Sequence, residues 1–219
     1  MSKGHHVLSE QESKIRQVIN DMYRIARDAL EQSMESLESQ NSFMADDVVN
    51  RDVELNNLNR DVEQECLLMI TTRQPMARDV LEIIASLHIS NHLERIGDHA
   101  KDIAKIVKGM DPSDFSGPMN QLSEMSSVCN DMFIKVMEAY NQRDVEKARA
   151  CANEDHDVDD LNHLASSSLL MQLVTQPDIH MHATHLLWIA YHLERIGDLI
   201  KNIAERVVFM ITAKTPDLD

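Results

Sequence analysis

Apolar residues recur at spacings of three and four along most of the chain, which is the pattern of amphipathic helices. The first run of this kind contains Ile15, Val18, Met22, Ile25 and Ala29. Ser9 and Glu12, just before it, form a Ser-x-x-Glu capping box. We therefore predict a first helix that begins near Ser9 and ends near Gln40.

Two further helices follow in the first half of the sequence. The second begins near residue 42 and must end near Pro75, because a residue that precedes proline is disfavoured in the α region. The third begins just after Pro75 and ends at Gly109. The segment 111–118 combines Asp, Pro, Ser and Gly residues, which are typical of turns. It is the predicted interior linker.

The same arrangement recurs after the linker. Helices are predicted over about 119–142, over about 144–176, and from just after Pro177 to about Thr212. Proline again separates the last two helices, as Pro75 does in the first half. The order of elements is therefore the same in both halves.

A repeated motif supports this duplication. The seven residues His92–Asp98 return unchanged as His192–Asp198. Identity of this length at corresponding positions of two halves indicates an internal repeat. The predicted fold class is all-α: two tandem three-helix bundles, over residues 9–110 and 119–213, related by internal duplication.

Composition narrows the class of protein. The 219 residues include five Gly, five Pro and only 4% aromatic residues, too few turn formers and rings for a many-stranded β fold. The formal net charge of −16 repels phosphate backbones and anionic lipid headgroups. No window approaches ~18 consecutive apolar residues. We expect neither direct nucleic-acid binding nor membrane insertion.

Cysteine usage indicates the compartment. Cys66, Cys129 and Cys151 are an odd number without metal-ligand spacing, which is typical of reduced, buried thiols. A cytoplasmic location is therefore predicted. The chain also lacks a Glu-x-x-His motif, a glycine-rich phosphate loop and a plausible nucleophilic triad. We expect no enzymatic activity.

Acidic residues spaced by four follow the repeated motif on a face apart from the apolar seam. This stripe consists of Glu94, Asp98 and Asp102 in the first half and of Glu194, Asp198 and Asn202 in the second. The preceding helix of each half adds a pair with the same spacing, Asp52 with Asn56 and Asp155 with Asp159. Like charges one helical turn apart repel, so a cation is expected to compensate them.

Two kinds of cation fit this pattern, and the spacing leaves both open. Lys101, Lys105 and Lys201 each follow an aspartate by three residues, which is typical of a solvated salt-bridged face. A metal ion held by carboxylates from two helices is the alternative. Gly97 and Gly197, inside predicted helices, indicate either close helix packing or open access to these carboxylates. Arg95 and Arg195 are expected to bridge to another helix.

The chain resembles the PhoU family from about Ser9 to Thr212. In the first half, Arg73-Gln74-Pro75, Asp79 and Leu93–Asp98 carry the resemblance. In the second half, its carriers are Pro177, Leu193–Asp198 and Asn202–Glu205. Two such motifs, each preceded by its proline, are more specific than one.

The resemblance implies six helices in two bundles, a homodimer, and iron or zinc ions, multinuclear in some members, on the Glu-x-x-x-Asp motifs. The metal ligands implied here are Asp52, Glu94, Asp98, Asp102, Asp155, Asp159, Glu194, Asp198 and Asn202. Asn56 and Asn202 stand where carboxylates are possible.

The resemblance also implies a function. PhoU-like proteins are negative regulators of the phosphate-starvation response and of phosphate uptake. They act as adaptors between the ATPase subunit of the phosphate ABC transporter and the sensor histidine kinase of that response. Two alternatives stay open: a carboxylate-bound metal store or metal-dependent enzyme, and a metal-free helical scaffold.

Overall fold

The computed structural model describes residues 2–73, 75–111, 118–175, 180–214, 216 and 218, with side chains from Glu10 onward except those of Arg73 and His180. The helices it contains in these ranges are α1 (Ser2–Glu38), α2 (Ser42–Arg73), α3 (Ala77–Gly109), α4 (Met119–Gln142), α5 (Val145–Asn153), α6 (Asp155–Thr175) and α7 (His180–Thr212). The predicted all-α class is confirmed. The predicted linker lies largely outside the described residues.

Two predicted helix boundaries are wrong. Helix α1 begins at Ser2, so the Ser9 capping box lies inside a helix, since no proline before it stops the helix from extending. The predicted fifth helix is two helices, α5 and α6, which are separated at Glu154. At this position the Glu154 carboxylate accepts a hydrogen bond from Lys135 Nζ of α4 at 2.7 Å. The local sequence pattern does not predict this contact between helices.

The buried face of α1 shows why the periodicity predicts helices well. Its buried apolar residues are Ile15, Ile19, Met22, Ala26, Leu30, Met34 and Leu37. Their spacings of three and four place them in one stripe, which packs against α2 and α3. The equivalent bundle of the second half contains α4, α6 and α7, with the short α5 against α4 and α7.

Helices α3 and α7, which carry the repeated motif, pack against each other at the centre of the molecule. His99 contacts His192, while His92 lies within electrostatic range of Arg206. Residue numbers thus fall along α3 as they rise along α7, so the two helices are antiparallel. Two equivalent helices in antiparallel contact are related by an approximate twofold axis.

Helices α1 and α4 add a second contact between the halves. The Tyr23 and Phe133 rings meet edge to face, with their centroids 4.9 Å apart. Nearby, the Asn20 and Asn141 side-chain amides exchange hydrogen bonds of 3.0 and 2.8 Å. Aromatic burial and paired amides make the two bundles one packed unit.

Candidate functional site

The acidic stripe of the first half lies at the contact between α2 and α3. Asp52 on α2 and Asp98 on α3 both contact the ammonium of Lys101, whose Nζ lies 2.8 Å from Asp52 Oδ2. The Asn56 amide donates to the same Asp52 oxygen at 3.0 Å. Asp52 is therefore satisfied by two donors, one of them charged.

Glu94 completes this group one turn before Asp98. Burial raises the pKa of Glu94, and the nearby charges of Asp98 and Asp52 raise it further, while Lys101 lowers it. The carboxylates therefore lie close enough to repel one another. Asp52, Glu94 and Asp98 thus form one electrostatic cluster, with Lys101 as its internal cation.

Asp102 lies apart from this cluster. Its carboxylate accepts from Lys105 Nζ at 2.8 Å, and both side chains are substantially exposed. Burial lowers the pKa of His192 across the α3 and α7 contact, and the negative charge of Asp102 partly offsets that lowering. Its counterpart Asn202 donates its amide to the backbone oxygen of Asp198 at 2.8 Å.

The second half assembles a larger carboxylate cluster between α6 and α7. Asp155 is only 3% exposed. Its burial, together with the charges of Asp159 and Asp198, raises its pKa to about 6. Lys201 is the cation that faces it, with Nζ 3.6 Å from Asp155 Oδ2. Burial, Asp198 and then the α6 aspartates likewise raise the pKa of Glu194.

Among the described residues, neither of the two repeated arginines forms the predicted bridge to another helix. Arg195 pairs with Asp198, three residues along the same helix, because that spacing brings both side chains to one side of α7. Arg95 is exposed. The Arg195 contact leaves Asp198 less available to a second cation.

The two glycines of the motif allow the helices to pack closely. A Cβ on Gly97 would overlap Leu55 Cδ1 of α2. A Cβ on Gly197 would lie 3.0 Å from Asp155 Oδ1 and 3.3 Å from Val158 Cγ1 of α6. Of the two interpretations of these glycines, close packing therefore applies in both halves, and at Gly197 the packed neighbour is the buried carboxylate.

No preformed metal site is present in the part of the chain that the structure describes: no three His, Cys, Asp or Glu side chains are arranged to hold an ion there. Lysine ammonium groups occupy the positions beside the carboxylates. The predicted spacing of three is seen for Lys101 with Asp98 and for Lys105 with Asp102. Lys201 reaches Asp155 on the neighbouring helix.

Sequence reasoning missed a histidine pair at the centre of the molecule. His99 Nδ1 and His192 Nδ1 lie 2.9 Å apart, so one ring must donate a proton that the other accepts. Burial lowers the pKa of both, that of His99 to about 4. The pair joins one half to the other, and the only signal for it in the sequence is the repeated His92 and His192 positions.

The three cysteines are free and buried, as predicted. Burial raises the pKa of the Cys66 and Cys151 thiols to about 12. They are therefore protonated and unreactive at neutral pH. None of the described helices is long and apolar enough to cross a membrane.

Comparison with known proteins decides the family. The sequence model described as the PhoU domain matches the chain twice, over residues 19–107 and 122–207. The chain belongs to the PhoU family. Each match covers one half of the molecule, so the PhoU domain corresponds to the repeat seen in the sequence.

Relatives of this PhoU-family chain match it over nearly its whole length. A phosphate-specific transport system accessory protein PhoU homolog from Zymomonas mobilis is 34% identical, over 96% of this chain and 90% of the relative. The homolog from Clostridium acetobutylicum is 29% identical, over 95% and 97%.

Solved structures agree with the fold. The phosphate transport system regulatory protein PhoU from Streptococcus pneumoniae superposes with a TM-score of 0.90 at 25% identity, over 96% of this chain and 99% of that one. PhoU from Pseudomonas aeruginosa gives a TM-score of 0.88 at 25% identity, over 94% and 99%. The two-bundle PhoU architecture therefore holds for this chain.

Proposed function

We propose that this chain is an accessory protein that regulates phosphate transport. The observation that carries the proposal is the double PhoU-domain match, together with relatives named as phosphate-specific transport system accessory proteins that align over at least 90% of their own length. The regulation is negative: the protein restrains phosphate uptake and the phosphate-starvation response when phosphate is plentiful. We assign it no reaction.

In this proposal the protein works as a cytoplasmic adaptor. It docks on the ATPase subunit of the phosphate ABC transporter and on the sensor histidine kinase, and it acts as a homodimer. Exposed apolar side chains support docking to other proteins; those on α6 and α7 are Leu164, Leu170, Met171, Val174, Met181, Trp188 and Tyr191. Exposed apolar residues grouped on neighbouring helices are typical of protein interaction sites.

Deletion and complementation test the regulatory role. We expect a strain that lacks the gene to express a phosphate-starvation reporter in phosphate-rich medium, and the intact gene to restore repression. The tagged protein should also retain the transporter ATPase subunit and the kinase in a pull-down, but not the ATPase of an unrelated ABC transporter. Repression that is normal without the gene would refute the proposed function.

We further propose that iron or zinc, if it is a ligand of this protein, binds the second acidic stripe. Asp155, Asp159, Glu194 and Asp198 supply four carboxylates from two helices, and oxygen-rich sets suit hard and borderline cations. Burial is the main cause of the raised pKa of Asp155, and the charges of Asp159 and Asp198 raise it further; a divalent cation would relieve that second contribution. The ion would neutralise charge and join α6 to α7.

The first stripe fits a metal poorly. Lys101 already contacts Asp52 and Asp98, and Asp102 lies apart with Lys105. These ion pairs favour a metal-free face in this half, which was one of the two alternatives left open by the sequence. Elemental analysis of protein purified without chelator, for the wild type and for D155N/D198N, tests the metal: the variant should lose it while remaining helical.

A further inference from the structure

The cation of the first acidic stripe is part of the chain itself. Lys101 projects from α3 between Asp52 of α2 and Asp98 of its own helix, and its side chain is only 18% exposed. The Nζ to Asp52 Oδ2 distance of 2.8 Å is that of a charge-assisted hydrogen bond. An ammonium held by two carboxylates occupies the position from which a metal ion would bridge α2 and α3.

The two halves differ at this point. In the first half, the Asn56 amide donates to Asp52 Oδ2 at 3.0 Å. This oxygen therefore accepts a second hydrogen bond in addition to the one from Lys101. The equivalent residue of the second half is Asp159, a carboxylate where the first half has an amide. Lys201 lies farther from its carboxylate, at 3.6 Å. In the first stripe one ammonium, that of Lys101, contacts the carboxylates of both helices, Asp52 and Asp98. In the second, Lys201 faces Asp155 and Arg195 pairs with Asp198.

We propose that Lys101 is a built-in counter-cation that closes the first acidic stripe to divalent metal ions. A metal there must displace a tethered ammonium, which cannot diffuse away and so competes at a high effective concentration. Removal of the ammonium leaves Asp52, Glu94 and Asp98 as an uncompensated oxygen set, which suits Mn²⁺. This proposal depends on the metal site proposed for the second half only for the comparison between the two stripes.

Titration of Mn²⁺ into chelator-treated protein, followed by calorimetry, tests this. K101M removes the charge but keeps most of the side-chain length, whereas K101R keeps the charge. K105M is the matched control. Lys105 also pairs with the aspartate three residues before it, but that residue, Asp102, is exposed and lies apart from the cluster. We expect K101M to bind one more equivalent of Mn²⁺ than the wild type and to lose it again in K101M/D52N, while K101R and K105M match the wild type.

The thermal unfolding of K101M gives an independent readout. At saturating Mn²⁺ its midpoint should rise by roughly 5 °C more than that of the wild type, since a ligand that binds only the native state stabilises it. K101Q serves the same purpose if K101M does not fold. A K101M or K101Q protein that binds no more Mn²⁺ than the wild type overturns the proposal.

The wild type alone provides a second refutation. If D52N removes an equivalent of Mn²⁺ from the otherwise unchanged protein, the metal reaches the first stripe despite Lys101, and the proposal is wrong. If the wild type binds no Mn²⁺ at all, the second stripe is no metal site, but the extra equivalent expected for K101M still decides the role of Lys101. Failure of the two proposals is thus distinguishable.

Discussion

Arg143 Nη1 donates to Glu82 Oε2 at 2.8 Å, and so joins the end of α4 in the second half to α3 in the first. Arg16 of α1 donates to the other oxygen, Oε1, at 2.5 Å. The Glu82 side chain is 12% exposed, so this carboxylate holds two guanidinium groups together in a largely desolvated position. One side chain thereby links three helices and both halves.

Removal of the Glu82 charge is expected to destabilise the protein. E82Q keeps the shape but leaves two arginines without their shared carboxylate, which should lower the free energy of unfolding by about 1–3 kcal/mol. E65Q is the control, because Glu65 pairs with Lys14, whose side chain is 62% exposed, and such pairs contribute about 0–1 kcal/mol. Urea denaturation measures both. Equal losses in the two variants would show that Glu82 acts as an ordinary surface residue.

The contribution of Glu82 should also depend on pH. Burial raises the pKa of Glu82, but the hydrogen bonds and charges of Arg143 and Arg16 outweigh it, so that the pKa lies below its ordinary value of 4.5. A lowered pKa means that the stabilisation is complete above pH 4.5 and is lost as the pH falls through the folded-state pKa. The difference in unfolding free energy between wild type and E82Q should therefore be constant near neutral pH and shrink in acid. A difference that grows in acid would contradict this sign.

The turn between α1 and α2 offers a stabilising substitution. Gln40 is exposed and has a φ of 55°, in the left-handed region that costs an L-residue energy and glycine little. Q40G should raise the free energy of unfolding by about 0.5–1 kcal/mol. Q40A removes the same side chain but keeps the Cβ, so it should give no such gain. Thermal unfolding of the two variants compares them, and equal midpoints would contradict the prediction.

The histidine pair between the halves should show energetic coupling. H99L leaves His192 Nδ1, in a side chain that is 9% exposed, without its 2.9 Å partner, and should cost about 1–3 kcal/mol. Once H192L is present, H99L should cost less, because the hydrogen bond is already absent. H92L is the control, since His92 Nδ1 is buried with no hydrogen-bond partner among the described residues. Strictly additive losses for H99L and H192L would show that the pair contributes nothing.

Helix positions in this chain are predictable from sequence because they depend on neighbours within a few residues. Pro75 and Gly109 mark the limits of α3 to within two residues, and the pairing of Lys101 with Asp98 follows from a spacing of three. The break at Glu154 is not predicted, because the sequence there has no proline or glycine to mark a helix end; Glu154 contacts Lys135, on another helix. A local pattern contains no information about that contact.

The grouping of the acidic residues was predictable only in part, since Asp102 lies apart from the others, and their partners were not. The spacing brings Asp52, Glu94 and Asp98 together as expected, whereas it did not reveal that Lys101 reaches across to Asp52, 49 positions away. Nor did it reveal the Glu82 and Arg143 contact, which spans 61 positions. Such contacts depend on how α3 packs against the other helices, and that packing is set by the whole buried surface.

The antiparallel contact of α3 with α7 has a consequence for how the two halves differ. If the two repeats were separate, identical chains packed in this way, symmetry would make every central contact occur twice. A substitution at one position would then change both copies at once. Joined in one chain, the halves escape that constraint. The position that corresponds to His99 is Leu199, so the His99 and His192 hydrogen bond exists on one side of the axis and has no mirror contact of the same kind. Fusion of the repeats thus permits each half to take up a task that the other does not share.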